Sequence, residues 1–165
     1  MAEYIYAVKQ MFYGTPTGSN TLPESLSPLP DTVKGTITVE ETEGTLTKFW
    51  VDQKKEPVRV IKSEEGDFTL TAQFYDFDFE KYAAFKGGVG VAGASFTPST
   101  DYTTIDKAFR VVFDSGHVMD IYNGSCVARM TGGGGRDKMF AWELKVTPML
   151  TQDLAGSYMI AASGV

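Results

Sequence analysis

The chain has 165 residues, room for one domain with a sizeable core. It is 42% hydrophobic and 22% charged, has a net charge of −6, and holds 17 glycines and 13% aromatic residues, a balance that leans toward β structure. The acidity argues against a protein that grips nucleic acid, which needs clustered Lys and Arg, and no run approaches the ~18 apolar residues of a membrane-spanning helix.

Residues Tyr4 to Phe12 are apolar and aromatic and read as a first strand. Gly14 to Asp31 follows, with Pro16, Pro23, Pro28 and Pro30 among Ser, Thr, Asn and Gly. Proline cannot donate to a ladder, so this stretch reads as a long loop: a floppy one, or an arm that binds a partner. From Thr36 the pattern has period two, with Thr36, Thr38, Glu40 and Thr42 on one face and Ile37 and Val39 on the other. Gly44 turns the chain into Thr45 to Val51, and Val58 to Ile61 alternates less cleanly. Glu64-Glu65-Gly66-Asp67 then leads into a strand in which Thr69, Thr71 and Gln73 alternate with Phe68, Leu70, Ala72 and Phe74. Together these strands are expected to form an antiparallel meander.

Asp78 is placed to cap a short helix that Gly87 or Gly88 stops. It is too short to stand alone and must pack on the sheet. A glycine-rich linker leads to a strand at Ala108 to Phe113, a turn at Asp114-Ser115-Gly116, and a return strand at Val118 to Tyr122. Asn123-Gly124 is a hairpin signal before Ser125 to Met130, and Gly132 to Gly135 reads as a flexible loop. Lys138 to Pro148 has the cleanest alternation, with Phe140, Trp142, Leu144 and Val146 on one face. The expected fold is mainly β: an antiparallel β-sandwich or barrel, one domain over residues 1–165. A short flanking α-helix at about 78–86, a long N-terminal loop and a flexible arm at about 14–33 complete it.

The patterns that suggest chemistry mostly lead elsewhere. Gly88-Val89-Gly90-Val91-Ala92-Gly93 matches G-x-G-x-x-G, but it follows a helix instead of opening one. Gly132 to Lys138 lacks the Lys-Ser/Thr ending of a phosphate loop. Cys126 is the sole cysteine, so no internal disulfide forms, and it reads as a small buried hydrophobe. His117 is the sole histidine, which excludes a multi-histidine metal site, and it reads as a turn residue. The acidic pairs Glu40-Glu41 and Glu64-Glu65 read as a solvated rim, and Trp50 and Trp142, both within strand patterns, as core. No catalytic, cofactor or metal residue is assigned, so the chain is read as no enzyme. The N-terminus lacks a secretory pattern, which places the expected site of synthesis and residence in a cytoplasm or in something assembled there.

Four landmarks combine into a resemblance. Ile37-Thr38-Val39-Glu40-Glu41 opens an acidic strand, and Asp67 to Phe74 runs into the helix Phe79 to Phe85 and the pair Gly87-Gly88. Ile121-Tyr122-Asn123-Gly124 precedes Val127-Ala128-Arg129, and Trp142 to Pro148 leads to a segment with Asp153 and Gly156. In this order the chain resembles the major tail tube proteins of long-tailed bacteriophages, and more distantly the tube protein of type VI secretion. The likeness covers most of residues 36–156 and lies in the order of elements.

The resemblance implies a structural virion protein, assembled in the host bacterial cytoplasm, whose hexameric rings stack into a phage tail tube. Its partner would be itself, with tape-measure and tail terminator proteins beside it. DNA would pass through without specific binding, and neither membrane nor cofactor would be involved. The expected lumen residues are Thr36, Thr38, Glu40, Thr42, Thr69, Thr71 and Gln73. The expected stacking residues are Thr17, Leu22, Leu26, Leu29, Lys54 and Lys55. The alternative from another class is a monomeric β-sandwich binding module, for example one for carbohydrate.

Overall fold

A computed structural model describes residues 2–101, 104–153 and 156–162. Among these the chain is mainly β, with antiparallel pairing and one helix. The first half carries β1 (Val8–Gly14), β2 (Ser27–Pro28), β3 (Thr38–Glu41), β4 (Thr45–Phe49), β5 (Arg59–Glu64) and β6 (Phe68–Phe74). Helix α1 (Phe79–Lys86) follows, then β7 (Val89–Val91), β8 (Ser95–Thr97), β9 (Ile105–Phe113), β10 (Val118–Gly132), β11 (Phe140–Pro148) and β12 (Tyr158–Ala161). Eight of these strands make one sheet in the order β2-β1-β9-β10-β11-β6-β3, with β12 paired to the first part of β10.

Alternation builds the core. Leu70, Ala72 and Phe74 of β6 lie opposite Val146, Leu144 and Trp142 of β11, and all six are buried. Met11 of β1 and Phe109 and Val111 of β9 join the same cluster, so the sheet curls around a single interior. Phe68, at the start of β6, accordingly stacks on Tyr158 of β12 with ring centroids 4.3 Å apart. Helix α1 caps this interior with Tyr82 and Phe85, both within aromatic contact distance of Trp142. The Asp78 side chain accepts from the backbone N–H groups of Glu80 and Lys81 and so starts the helix, and Gly87, at φ 84°, ends it. Trp142 is fully buried, and its Nε1 donates to the Asp76 carbonyl at 2.9 Å.

Tertiary pairing revises several expectations. The first ladder starts at Val8, leaving the aromatic residues Tyr4 and Tyr6 exposed outside it. Gly88 to Gly93 is no mere linker, because β7 and β8 pair across a turn at Gly93. Asn123-Gly124 does not turn the chain. Strand β9 pairs with both halves of β10, and its register slips between Ile121 and Gly124, so the pair forms a β-bulge inside one fifteen-residue strand. The bulge inverts the alternation: Met119 and Ile121 face the core before it, Cys126 and Ala128 after it.

The meander is also interrupted. β3 pairs with β6, while among the described residues β4 and β5 pair only with each other. The hairpin they form stands away from the sheet with nearly every residue exposed. Trp50 therefore lies 58% exposed instead of in the core. At the hairpin base the two chains approach so closely that a Cβ on Gly44 or Gly66 would fall 2.1 Å and 1.4 Å from the carbonyl oxygens of Glu64 and Thr42. Only glycine fits there.

Candidate functional site

The sheet segment β3-β6-β11-β10 brings the two sets of expected lumen residues together. Thr38 lies directly opposite Thr71, and Glu40 opposite Thr69. Side chains of direct partners project from the same face, so the polar positions of β3 and β6 form one surface whose reverse carries Leu70, Ala72 and Phe74. Beyond β6 the surface continues across β11, where Lys145 lies opposite Thr71 and Glu143 opposite Gln73. On β10 it continues with Ser125, Val127 and Arg129, the partners of Thr147, Lys145 and Glu143.

One row is tied together by side chains. Arg129 Nε donates to Glu143 Oε1 at 2.9 Å, and Gln73 Nε2 donates to Glu143 Oε2 at 3.3 Å. The Arg129 guanidinium, with Gln73 adding to it, holds the Glu143 carboxyl below the usual carboxylate range. Thr36 ends this row by accepting the Gln73 N–H and donating to the Val33 carbonyl at 2.6 Å. Thr42 accepts the Asp67 N–H at 2.8 Å and closes the base of the projecting hairpin. Both flank β3, with hydroxyls engaged in fixing its ends, while Thr38 and Glu40 stay exposed within it.

The face is mixed in charge and not strongly acidic: Glu40 and Glu143 are matched by Lys145 and Arg129. At the hairpin base Glu41, Glu43 and Glu65 line one hollow with Lys62, whose Nζ pairs with Glu65. Among the described residues no group of three or more His, Cys, Asp or Glu is placed to hold a metal ion.

The segment also has two open edges. Among the described residues β3 pairs on one side only, with β6, and β10 from Val127 to Gly132 pairs only with β11. Both edges lack proline and carry exposed apolar side chains, Val39 on one and Val127 and Met130 on the other. The sheet has two further edges among the described residues: β12, which pairs only with β10, and β2, which holds Pro28 with Pro30 following it, the usual way to blunt an edge. Four antiparallel strands separate the open edges, so β3 and β10 run in opposite directions.

No protein-family model and no curated protein sequence matches this chain.

The expected stacking residues do not form one surface. Leu29 is only 2% exposed and belongs to the core; its N–H donates to the Met11 carbonyl at 2.9 Å. That assignment is corrected: the chain spends Leu29 on its own interior, because β2 lays it against β1. Leu22 and Leu26 are half-buried, with Leu26 and Pro23 packed close to Gly14. Thr17 is exposed, its hydroxyl bound within the turn to Ser19 and Thr21. The segment 14–33 is tied to the body near its start, where the Gln152 N–H donates to the Gly18 carbonyl and the Asn20 N–H to Asp153 Oδ2, both within 2.9 Å. Asn20 also meets the buried Thr151 hydroxyl. Lys54 and Lys55 are exposed at the tip of the β4–β5 hairpin. The sequence pattern missed that this whole hairpin is unsupported; its apolar residues on both faces, Leu46, Phe49, Trp50, Val58 and Ile61, were the available signal.

Proposed function

We propose that this chain is a structural subunit that joins copies of itself, edge to edge, into closed rings that stack into a tube, as phage tail tube proteins do. The carrying observation is the four-stranded segment with one polar face and two unprotected, antiparallel edges. Joining β3 of one copy to β10 of the next keeps the antiparallel alternation and removes both edges. Such a contact is heterologous and generates a ring when its rotation closes. The curled core lies on one side of that sheet, so the hydroxyl-rich face would line the hole. A wall of hydroxyls with balanced charge offers a polyanion neither a grip nor a strong barrier. On this reading DNA passes without specific binding, the location is a virion tail, and tape-measure and terminator proteins meet the ends.

The test is light scattering after size exclusion, with negative-stain microscopy of the same fractions. Rings or hollow tubes are expected from the unaltered chain. Val39→Lys and Val127→Lys each place a charge on an exposed edge position, where lysine discourages pairing, and should leave a folded monomer. Rings at unaltered yield in both variants would sink the proposal. The exposed Trp50 and Phe49 favour the second reading, a carbohydrate-binding module. That reading requires a monomer and glycan binding that Trp50→Ala abolishes.

A further inference from the structure

Met130 and Val39 are exposed for the same reason. β10 runs on past its last pairing with β9, that of Cys126 with Ile105, and from there to Gly132 it has β11 on one flank and no described strand on the other. Met130 falls in that stretch and is 58% exposed, although it lies directly opposite the fully buried Trp142. Direct partners share a face, so Met130 belongs to the core-side row with Cys126 and Ala128 and lacks only a strand beside it. Val39 repeats this on β3. It lies opposite the buried Leu70 yet is 47% exposed, because among the described residues β3 has β6 on one flank alone.

Joining β3 of one copy to the end of β10 of the next puts both side chains on the core side of one joint. The faces are kept only when Val39 falls opposite Ala128, Met130 or Gly132, and each of these is Met130 or its nearest neighbour on that side. A long thioether reaches a diagonal neighbour as well as a direct one, so Met130 and Val39 meet in every such register. The other methionines supply a contrast. Met11 and Met119 are buried in the core, while Met139 is 61% exposed in the β10–β11 connection, outside either edge strand.

We infer that Met130 is an oxidation-sensitive site that decides whether this edge can join a neighbour. The inference rests on the ring reading above and adds its regulation. The co-reactant is a peroxide, here hydrogen peroxide. The Met130 sulfur attacks one peroxide oxygen, and the O–O bond breaks as the S–O bond forms. Sulfur is oxidised to the sulfoxide, and the peroxide is reduced and leaves as water. The product is polar where the thioether was apolar. In the joint its oxygen is buried against Val39 and Ala128, whose side chains donate no hydrogen bond, and a buried acceptor without a donor opposes association. A joint already formed covers the sulfur, so the ring protects the site that the free subunit exposes.

The experiment treats free subunits and assembled rings with hydrogen peroxide, maps the oxidised methionines by peptide mass spectrometry and counts rings by negative-stain microscopy. In free subunits Met130 and Met139 should oxidise and Met11 and Met119 should not. In rings Met139 should oxidise as before, and Met130 about tenfold or more slowly. Oxidised subunits should lose rings by about tenfold or more, since each joint would bury an unpaired oxygen, and a methionine sulfoxide reductase should restore them. Met130→Leu, which conserves volume, should assemble and keep its rings after peroxide, whereas Met139→Leu should stay sensitive. Equal oxidation of Met130 in rings and subunits, rings at full yield from subunits oxidised at Met130, or peroxide sensitivity unchanged in Met130→Leu would each overturn the inference and leave the ring reading standing. An untreated chain that stays monomeric would overturn both.

Discussion

Cys126 shows how far burial alone sets a residue's chemistry. Its thiol is pushed up to about 12, first by desolvation and with Asp106 adding to it. A thiol held neutral is a poor nucleophile, so Cys126 should resist Ellman's reagent at pH 8 in the folded chain and react at once in denaturant; rapid reaction without denaturant would contradict the packing. Asp120 makes the opposite bargain with burial. Its side chain is 3% exposed, and it accepts two bonds from Arg110, at 2.8 Å from Nε and 2.9 Å from Nη2. Removing one partner of a buried pair leaves the other uncompensated. Asp120→Ala should therefore lower stability by about 3 kcal/mol, the lower end of the usual range because the guanidinium keeps some access to water; urea unfolding checks it. Glu143 supplies a pH dependence. Its folded pKa is depressed by Arg129, so its stabilisation is fully present above the unfolded carboxylate value and is lost as pH falls through the lower folded value. The stability gap between the unaltered chain and Glu143→Gln should be open at neutral pH and close on acidification below the normal glutamate range. A gap independent of pH would refute it.

At the scale of elements, the hairpin and the helix contrast. Helix α1 has Tyr82 and Phe85 in the core and Asp78 at its start, so Asp78→Ala should cost about 1 kcal/mol through the lost cap. The β4–β5 hairpin contributes nothing to that core. Replacing residues 48–59 by a short turn should leave the unfolding midpoint of the monomer almost unchanged, and trypsin should cut first after Lys54 or Lys55 while the two fragments remain associated. A large fall in the midpoint would show that the hairpin packs on the body. The helix was legible in the sequence because its signals are local: a cap, a spacing and a glycine stop. The hairpin was legible as two strands and a turn but not as an outcast, since which strand pairs with β3 is decided by β6, some thirty residues later in the chain.

For the whole molecule, the decisive feature is a sheet whose β3-β6-β11-β10 segment, among the described residues, satisfies its interior side and leaves the edges at β3 and at the end of β10 open. Glu40→Lys changes the polar face without touching the core, because Glu40 is exposed and has Thr69 as its cross-strand partner. On the proposed reading it should leave ring and tube yield intact and slow the passage of DNA, measured as infectivity of virions carrying the variant; normal infectivity would remove Glu40 from the wall. Net charge is a sum over the chain, and on this face the fold sets Lys145 and Arg129 beside Glu40 and Glu143.

By itself the sequence determined the mainly β character, the helix at its observed place, the inward row Trp142, Leu144 and Val146, and the grouping of Thr38 with Glu40 and of Thr69 with Thr71. All of these follow from local periodicity, because alternate residues of a strand must face opposite ways. Tertiary structure alone decided that the two polar rows share one face, that Asn123-Gly124 is a bulge, that Leu29 is core and Trp50 is not, and which edges stay open. Those outcomes depend on pairings between distant strands, whose register and neighbours are fixed by how the whole interior packs and by no short-range pattern.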